Sequence, residues 1–365
     1  MALTLSATLA VASPATATAA SFTASSVLGV DSNVFLSDVN PSTNQQARSS
    51  MFTQTTLGGE LGTDSSRGHR VGWSFQGVQK HYFQYGEADK LFAESALAYR
   101  YAIASSLLVG VVQTVSYARL QLLDTEGNTL PRDRFIAYSG DVRGYTQWLV
   151  SQSRLTVGAG LRKKDINEVP NIPPTINQSL DHQGYFLYVD GAHRRGFVDA
   201  GAGYEYGVFH YDELQARARD SSDPPTSNPA LALIQHTARS KLAVRLARTA
   251  RLSLDGQARL TNDPFDGELT YRQYDILPRV EIRLPLNLLF GGGAGYRTRV
   301  YAKRQVPTTT DRRRERFLQA DASLRRPWND YCSVFAQAQF IRKTSNAPGD
   351  EFRSQVYALG VSLNF

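Results

Sequence analysis

The sequence predicts an all-β chain closed into a transmembrane antiparallel up-and-down β-barrel of about sixteen strands (roughly 14–18), with both termini in the periplasm. Three observations carry this. Apolar residues recur at every second position over stretches of about ten residues, the period of a two-faced strand. Long polar connections and short turns strictly alternate along the chain, as they do when all the long loops emerge at one end of a barrel. Once the N-terminus is set aside, no apolar run approaches the ~18 residues of a transmembrane helix.

Composition agrees. The 365 residues are 42% hydrophobic, with mean hydropathy −0.33. A barrel hides its membrane character in this way, because lipid-facing and lumen-facing residues average out. The 18 tyrosines and 17 phenylalanines suit aromatic girdles, and the 28 glycines suit tight turns. The single cysteine, Cys332, excludes an internal disulfide and is far from any lipidated N-terminus. The net charge of +7 fits either solubility or attraction for anionic solutes and lipopolysaccharide.

Residues 1–19 read as a secretory signal. A run of small apolar residues is followed by Ala17-Thr18-Ala19, an A-x-A pattern with cleavage expected after Ala19. The run lacks a basic start, which a start codon placed too far downstream would explain. The barrel domain is then residues 20–365.

Strands are expected at 21–31, 51–62, from 71, 91–103, 107–120, 136–150, 154–164, 184–192, 197–211, 231–247, 251–260, 269–284, 286–301, 317–325, 331–342 and 354–365. Short turns stand at Ser105-Ser106, Ser151-Gln152-Ser153, Arg194-Arg195-Gly196 and Arg248-Thr249-Ala250. Long connections hold Pro41; Gly127 and Pro131; Pro170, Pro173 and Pro174; and Pro224, Pro225 and Pro229. Long loops follow odd strands and short turns follow even ones. Pro278 falls within a strand, on its apolar face, and predicts a local irregularity because proline cannot donate to the ladder.

The last strand has the clearest alternation. Tyr357, Leu359, Val361, Leu363 and Phe365 are apolar, and Ala358, Gly360 and Ser362 between them are small. In water such a terminal strand would invite aggregation, whereas in a barrel it closes the seam against the first strand. A terminal aromatic preceded by alternate apolar residues resembles the C-terminal signal by which bacterial outer-membrane barrels are recognised for assembly. The small inward residues predict that the seam is the least obstructed wall of the lumen.

With apolar positions facing lipid, the others face inward. The expected pore-lining residues are Arg100, Arg143, Arg162, Arg245, Arg259, Arg279, Arg283, Arg297, Arg299, Glu94, Asp255 and Glu281. The same face carries Lys164, Lys241 and Arg325 against Glu60, Asp141, Asp190, Asp199, Glu205, Asp275 and Asp321, so the two signs nearly balance. Either such charges pair with one another (Asp255 with Arg259, Glu281 with Arg283) and brace the lumen, or they wall a hydrated pore of mixed sign. The basic residues Lys303, Arg304, Arg312, Arg313, Arg314 and Arg316 are expected in one external loop that binds lipopolysaccharide phosphates or folds in as a constriction.

Motifs for enzyme or cofactor chemistry are missing. The six histidines show no metal-ligand spacing, and there is no CxxC, HExxH or G-x-S-x-G. The run Gly291-Gly292-Gly293-Ala294-Gly295 opens no helix and so makes no phosphate cradle. His182 and His210, with Ser179, Asp181 or Asp212, are the nearest approach to a catalytic rim. The expectation is a non-enzyme with no cofactor, no metal and no nucleic-acid partner.

The segment Gly29-Val30-Asp31-Ser32-Asn33-Val34-Phe35 at the end of the first strand resembles a group of proteobacterial and myxobacterial outer-membrane barrels. Many are encoded with exopolysaccharide machinery; others form the barrel of surface-lipoprotein assembly modifiers, which carry a helical repeat domain that has no counterpart here. The resemblance implies an outer-membrane channel for polysaccharide export. Its partners would be membrane lipid and lipopolysaccharide, the barrel assembly machinery and a periplasmic export protein. A general or anion-preferring diffusion porin, and a structural or surface-interaction barrel with a plugged lumen, are the alternatives.

Overall fold

Alternation at period two gives each strand one apolar face, and closing the sheet turns the other inward. In a computed structural model the chain forms a closed antiparallel barrel whose sixteen strands pair in sequence order, β1 closing on β16. The structure describes residues 16–34, 48–64, 68–123, 129–168, 181–216, 228–306, 309–347 and 351–365. The expected loops around Pro41, Pro170, Pro173, Pro174, Pro224 and Pro225, along with Gly127, Phe35, Ser179 and residues 1–15, lie outside these.

The strands are β1 (Thr16–Asp31), β2 (Ser50–Asp64), β3 (His69–Tyr82), β4 (Lys90–Ala104), β5 (Leu107–Leu123), β6 (Thr129–Val150), β7 (Ser153–Glu168) and β8 (His182–Arg195). They continue as β9 (Val198–Gln215), β10 (Ala230–Ala247), β11 (Ala250–Asn262), β12 (Tyr271–Arg283), β13 (Leu289–Gln305), β14 (Arg312–Pro327), β15 (Cys332–Ser345) and β16 (Phe352–Asn364). Strands at ~4.8 Å spacing, tilted by ~40°, put the backbone of a sixteen-stranded barrel at a radius of roughly 16 Å. That is wide enough for an aqueous lumen unless side chains fill it.

Connections alternate largely as expected, the β5–β6 connection (124–128) being no longer than the β12–β13 one (284–288), so the barrel has a short-turn end and a long-loop end. β1 starts and β16 stops at the short-turn end. Three expectations need correction. The 124–133 loop is shorter, because β6 begins at Thr129 and takes in Pro131. The basic segment 303–316 is largely strand: Lys303 and Arg304 lie on β13, and Arg312, Arg313, Arg314 and Arg316 on β14. The first strand, expected from residue 21, begins at Thr16.

Outward residues make an apolar belt. Leu28, Leu97, Leu161, Leu187, Leu242 and Leu318 are all exposed on it. Trp148, Phe197, Trp328, Tyr331 and Phe365 sit towards the short-turn end, and Tyr138, Tyr185, Tyr274 and Tyr357 lie towards the other. A large apolar side chain left exposed all round a closed sheet belongs in lipid.

Pro278 behaves as expected. The β11–β12 ladder runs through it opposite Leu254. On its other side the β12–β13 pairing stops at Ile276–Tyr296 and resumes at Arg279–Gly293 in unchanged register. The irregularity is confined to the side where the missing N–H would have donated.

The seam runs from Thr23 opposite Asn364 to Asp31 opposite Val356. At its short-turn end Phe365 and Phe22 exchange both backbone hydrogen bonds, at 2.9 and 3.0 Å. The residues expected to form the assembly signal, Tyr357, Leu359, Val361, Leu363 and Phe365, all point outward and are exposed, Leu359 to 68%. The inward side is not the least obstructed wall. Phe52 lies against Gly29, where an added Cβ would come within 2.6 Å of its ring, and Phe335 covers Gly360 at the same 2.6 Å. The small residues are there to seat large aromatics from neighbouring strands.

Candidate functional site

Register decides which side chains share the interior. Every expected pore-lining residue has the parity opposite to the apolar belt. Arg100 and Glu94 lie on β4, Arg143 on β6, Arg162 on β7, Arg245 on β10 and Arg259 with Asp255 on β11. Arg279, Glu281 and Arg283 lie on β12, and Arg297 and Arg299 on β13.

At mid-height these charges pair, across neighbouring strands and, at Asp141–Arg143, along one strand. Asp141 accepts Arg143 Nε at 2.9 Å and Arg162 Nη2 at 3.2 Å. Arg162 stretches over the Phe186 ring, 4.8 Å from its centroid, and its Nη1 comes to 4.0 Å from Glu205 on the far side of β8. Glu205 also binds Arg239 at 2.8 Å. Arg297 pairs with Asp275 on the neighbouring strand. The expected same-strand pairs do not form: among the described residues Asp255–Arg259 and Glu281–Arg283 make no salt bridge. Most of the pairs that do form reach a neighbouring strand, where side chains on one face come within ~5 Å.

The long-loop end is packed. Phe52, Tyr82, Val27, Val34, Ala88 and Ala358 form one buried cluster beneath the seam. A second gathers Ala137, Ile166, Tyr211, Leu231, Leu233 and Leu269. Between them Glu315, fully buried, takes Arg313 at 2.8 Å, Arg299 at 3.7 Å and Lys343 at 4.0 Å. Arg299, an expected pore residue, is thus buried in a cluster and also donates to Gln273 Oε1 at 2.8 Å. Arg313, expected in a solvated loop, turns inward here because β14 alternates.

Asp31 organises the seam side. Its Oδ1 accepts the Ser354 hydroxyl at 3.0 Å and the Asn33 backbone N–H at 3.1 Å. Its Oδ2 accepts Lys80 Nζ at 3.1 Å and the Tyr82 hydroxyl at 2.8 Å. Asn33 Nδ2 donates to the Arg353 carbonyl at 2.9 Å, and Ser32 Oγ accepts the Gln355 N–H at 2.8 Å. The Asp-Ser-Asn-Val segment noted in the sequence therefore clasps β1 to β16. Reading the sequence missed this role, and those of Lys80, Glu315 and Lys343. Their inward parity was the available signal, but their partners come from distant strands.

The short-turn end is open. Arg70, Arg100, Arg154, Arg194, Arg245, Arg251, Arg283 and Arg325 are exposed at inward positions near this rim. Arg70 stands in register between Asp64 and Arg100, and Arg245 stands opposite Arg251. Carboxylates at this level include Asp199, which holds Arg194 and lies 4.0 Å from Arg251, Glu281, Asp64 in register with Arg70, and Glu60, which shares a cavity with Arg70 and Arg100. Above this rim a cavity of about 990 Å³ reaches from Ser151–Ser153 up to Arg239, Asp275 and Arg297. Charge is thus segregated by height: an arginine mouth, a paired middle and a packed far end.

His182 lies at the packed end with its ring 4.9 Å from that of Tyr211, while His210 points outward, so the two do not converge. Among the described residues no group of His, Cys, Asp and Glu could hold a metal ion.

No family model and no curated protein matches the chain. Among solved structures it is similar to CdiB from Acinetobacter baumannii, with 13% identity and a TM-score of 0.54, covering 94% of this chain and 60% of CdiB. The chain thus spans about three fifths of the CdiB length. A bacterial polysaccharide outer membrane secretin matches at 9% identity and TM-score 0.46, over 95% of this chain and 97% of that one. OmpTdeltaL8 of Vibrio cholerae matches at 9% identity and TM-score 0.48, over 96% and 100%. The fold is that of outer-membrane β-barrels.

Proposed function

We propose that the chain is an outer-membrane channel for hydrophilic solutes and that its cargo is an exported polysaccharide. The observation that carries the channel reading is the charged cavity of about 990 Å³ rising from the short-turn mouth. A purely structural barrel has no need of a wall of exposed arginines round an empty space. With the short turns in the periplasm, this mouth receives cargo from that side, where an export partner would dock. The group of barrels that shares the Asp31-Ser32-Asn33-Val34 segment supports the polysaccharide. No catalytic role and no cofactor is assigned to the chain.

The arginine mouth favours a second reading, an anion-preferring diffusion porin. The exposed arginines at this mouth outnumber its carboxylates, and such an excess of positive charge suits a passing anion. Single-channel recording of the purified protein tests both. The expected result is measurable conductance with a reversal potential on the anion side; conductance near zero would exclude both. Polymer secretion in a deletion strain separates them: normal secretion removes the export reading and leaves the porin.

A further inference from the structure

On the outer face the apolar belt stops abruptly at the long-loop ends of β14, β15 and β16. Arg314 and Arg316 on β14, Arg342 on β15 and Arg353 on β16 share the outward parity of Leu318, Phe340 and Tyr357. Register puts Leu318 opposite Arg342, and Arg342 opposite Arg353. Arg316 stands opposite Thr344, one outward step beyond Arg342. All four arginines are exposed. Among the described residues none of them makes a salt bridge. Between Leu324 and the long-loop end, the other outward positions of these three strands are apolar or uncharged, except Arg312 at the very start of β14.

Such a patch is costly without a partner. Arginine on the lipid face costs about 2–4 kcal/mol at the midplane and ~0–1 near the interface, and directly opposed like charges add to this. Anions at the headgroup level offset both terms. Guanidinium forks bind phosphate oxygens two at a time. The Arg353 guanidinium is already held 5.4 Å over the Phe340 ring. Two strand spacings make the patch ~10 Å wide, more than one phosphodiester covers. A headgroup with several phosphates matches it, with acyl chains lying along Leu318, Phe340 and Tyr357.

We propose that Arg314, Arg316, Arg342 and Arg353 form a site for the phosphates of a phosphorylated glycolipid of the outer leaflet, of the lipopolysaccharide class. The proposal rests on the outer-membrane reading with the long loops outward. It does not depend on conduction, because the patch lies outside the lumen.

The test uses the full chain folded in detergent, with bisphosphorylated lipid A, dephosphorylated lipid A and phosphatidylglycerol as probes. The wild type should bind the bisphosphorylated lipid at least ~10-fold tighter than either of the others. The pair Arg342→Gln/Arg353→Gln should lose that preference, and so should Arg314→Gln/Arg316→Gln, with single-channel conductance unchanged in both. Equal binding of phosphorylated and dephosphorylated lipid by the wild type overturns the proposal without need of any variant. So does tighter binding of phosphatidylglycerol, or full retention of the preference in both double variants.

Discussion

The Asp31 carboxylate meets the Lys80 ammonium at 3.1 Å inside the packed end of the barrel, and the same oxygen accepts the Tyr82 hydroxyl. Both partners come from β3, two strands away from β1. Removing the carboxylate strands a buried cation and frees Ser354 on the closing strand. Asp31→Ala should therefore cost about 3 kcal/mol of barrel stability, and Asp31→Asn less, because it still accepts hydrogen bonds. Denaturant unfolding of the detergent-folded protein measures this; a loss below ~1 kcal/mol for the alanine variant would refute the clasp.

Gly29 and Gly144 make a matched pair. An added Cβ at Gly29 would lie 2.5 Å from the Tyr357 carbonyl and 2.6 Å from Phe52, while at Gly144 nothing stands within 4 Å. Gly29→Ala should lose ~1–3 kcal/mol by overpacking, and Gly144→Ala should be nearly neutral. Equal melting curves for the two variants would contradict the packing at the seam.

Arg162 is about one third exposed, and both its carboxylate partners keep a second arginine. Its loss is therefore a selectivity change more than a stability change. Arg162→Met should cost under ~1 kcal/mol while moving the reversal potential towards cations. An unchanged potential would place Arg162 off the conduction path.

Phe365 is 66% exposed, pairs its backbone with Phe22 and stacks on Tyr331 at 6.3 Å. Deleting it removes both seam hydrogen bonds and the last outward aromatic. The amount of folded, heat-modifiable barrel in the outer membrane should fall severalfold; wild-type amounts would count against a seam role for this residue.

Asp263, in the connection between β11 and β12, accepts the N–H groups of Phe265 at 3.1 Å and Leu269 at 3.4 Å. Burial holds its carboxyl above the ordinary 3.8, against the lowering effect of those hydrogen bonds. A carboxyl raised in the folded state binds its proton more readily there than when unfolded. Its ionisation therefore subtracts stability as pH climbs through the unfolded and then the folded value, and acidification restores it. Wild type should lose stability relative to Asp263→Asn between pH 3.8 and neutrality. A flat difference across that range would refute the assignment.

Much of the architecture was legible because it depends on local pattern. Alternation fixed the strand faces, connection lengths told the short-turn end from the long-loop end, and Pro278 marked its own interruption. What escaped depends on closure. Asp31 and Ser354 are separated by 323 positions and meet only because β16 returns to β1. The arginines near 303–316 read as loop because charge density there outweighs the strand pattern, yet alternation sends Arg313 to Glu315 and Arg314 to the outer face. Counting charge over the whole inward face also hid its segregation by height, since a near-zero sum is compatible with an arginine mouth.

The two ends of the seam are fastened differently. At one end a buried carboxylate ties β1 to its neighbour β16 and, past β2, to β3; at the other, two exposed aromatics exchange a pair of backbone hydrogen bonds. A hoop under outward strain gives way at its weakest rivet. Thermal breathing, mechanical pulling or lateral pressure should start parting β1 from β16 at Phe22 and Phe365 and stall before Asp31. Amide exchange along the seam would then rise steadily from the clasp towards the rim, so that the barrel wall behaves as a sleeve laced at the top.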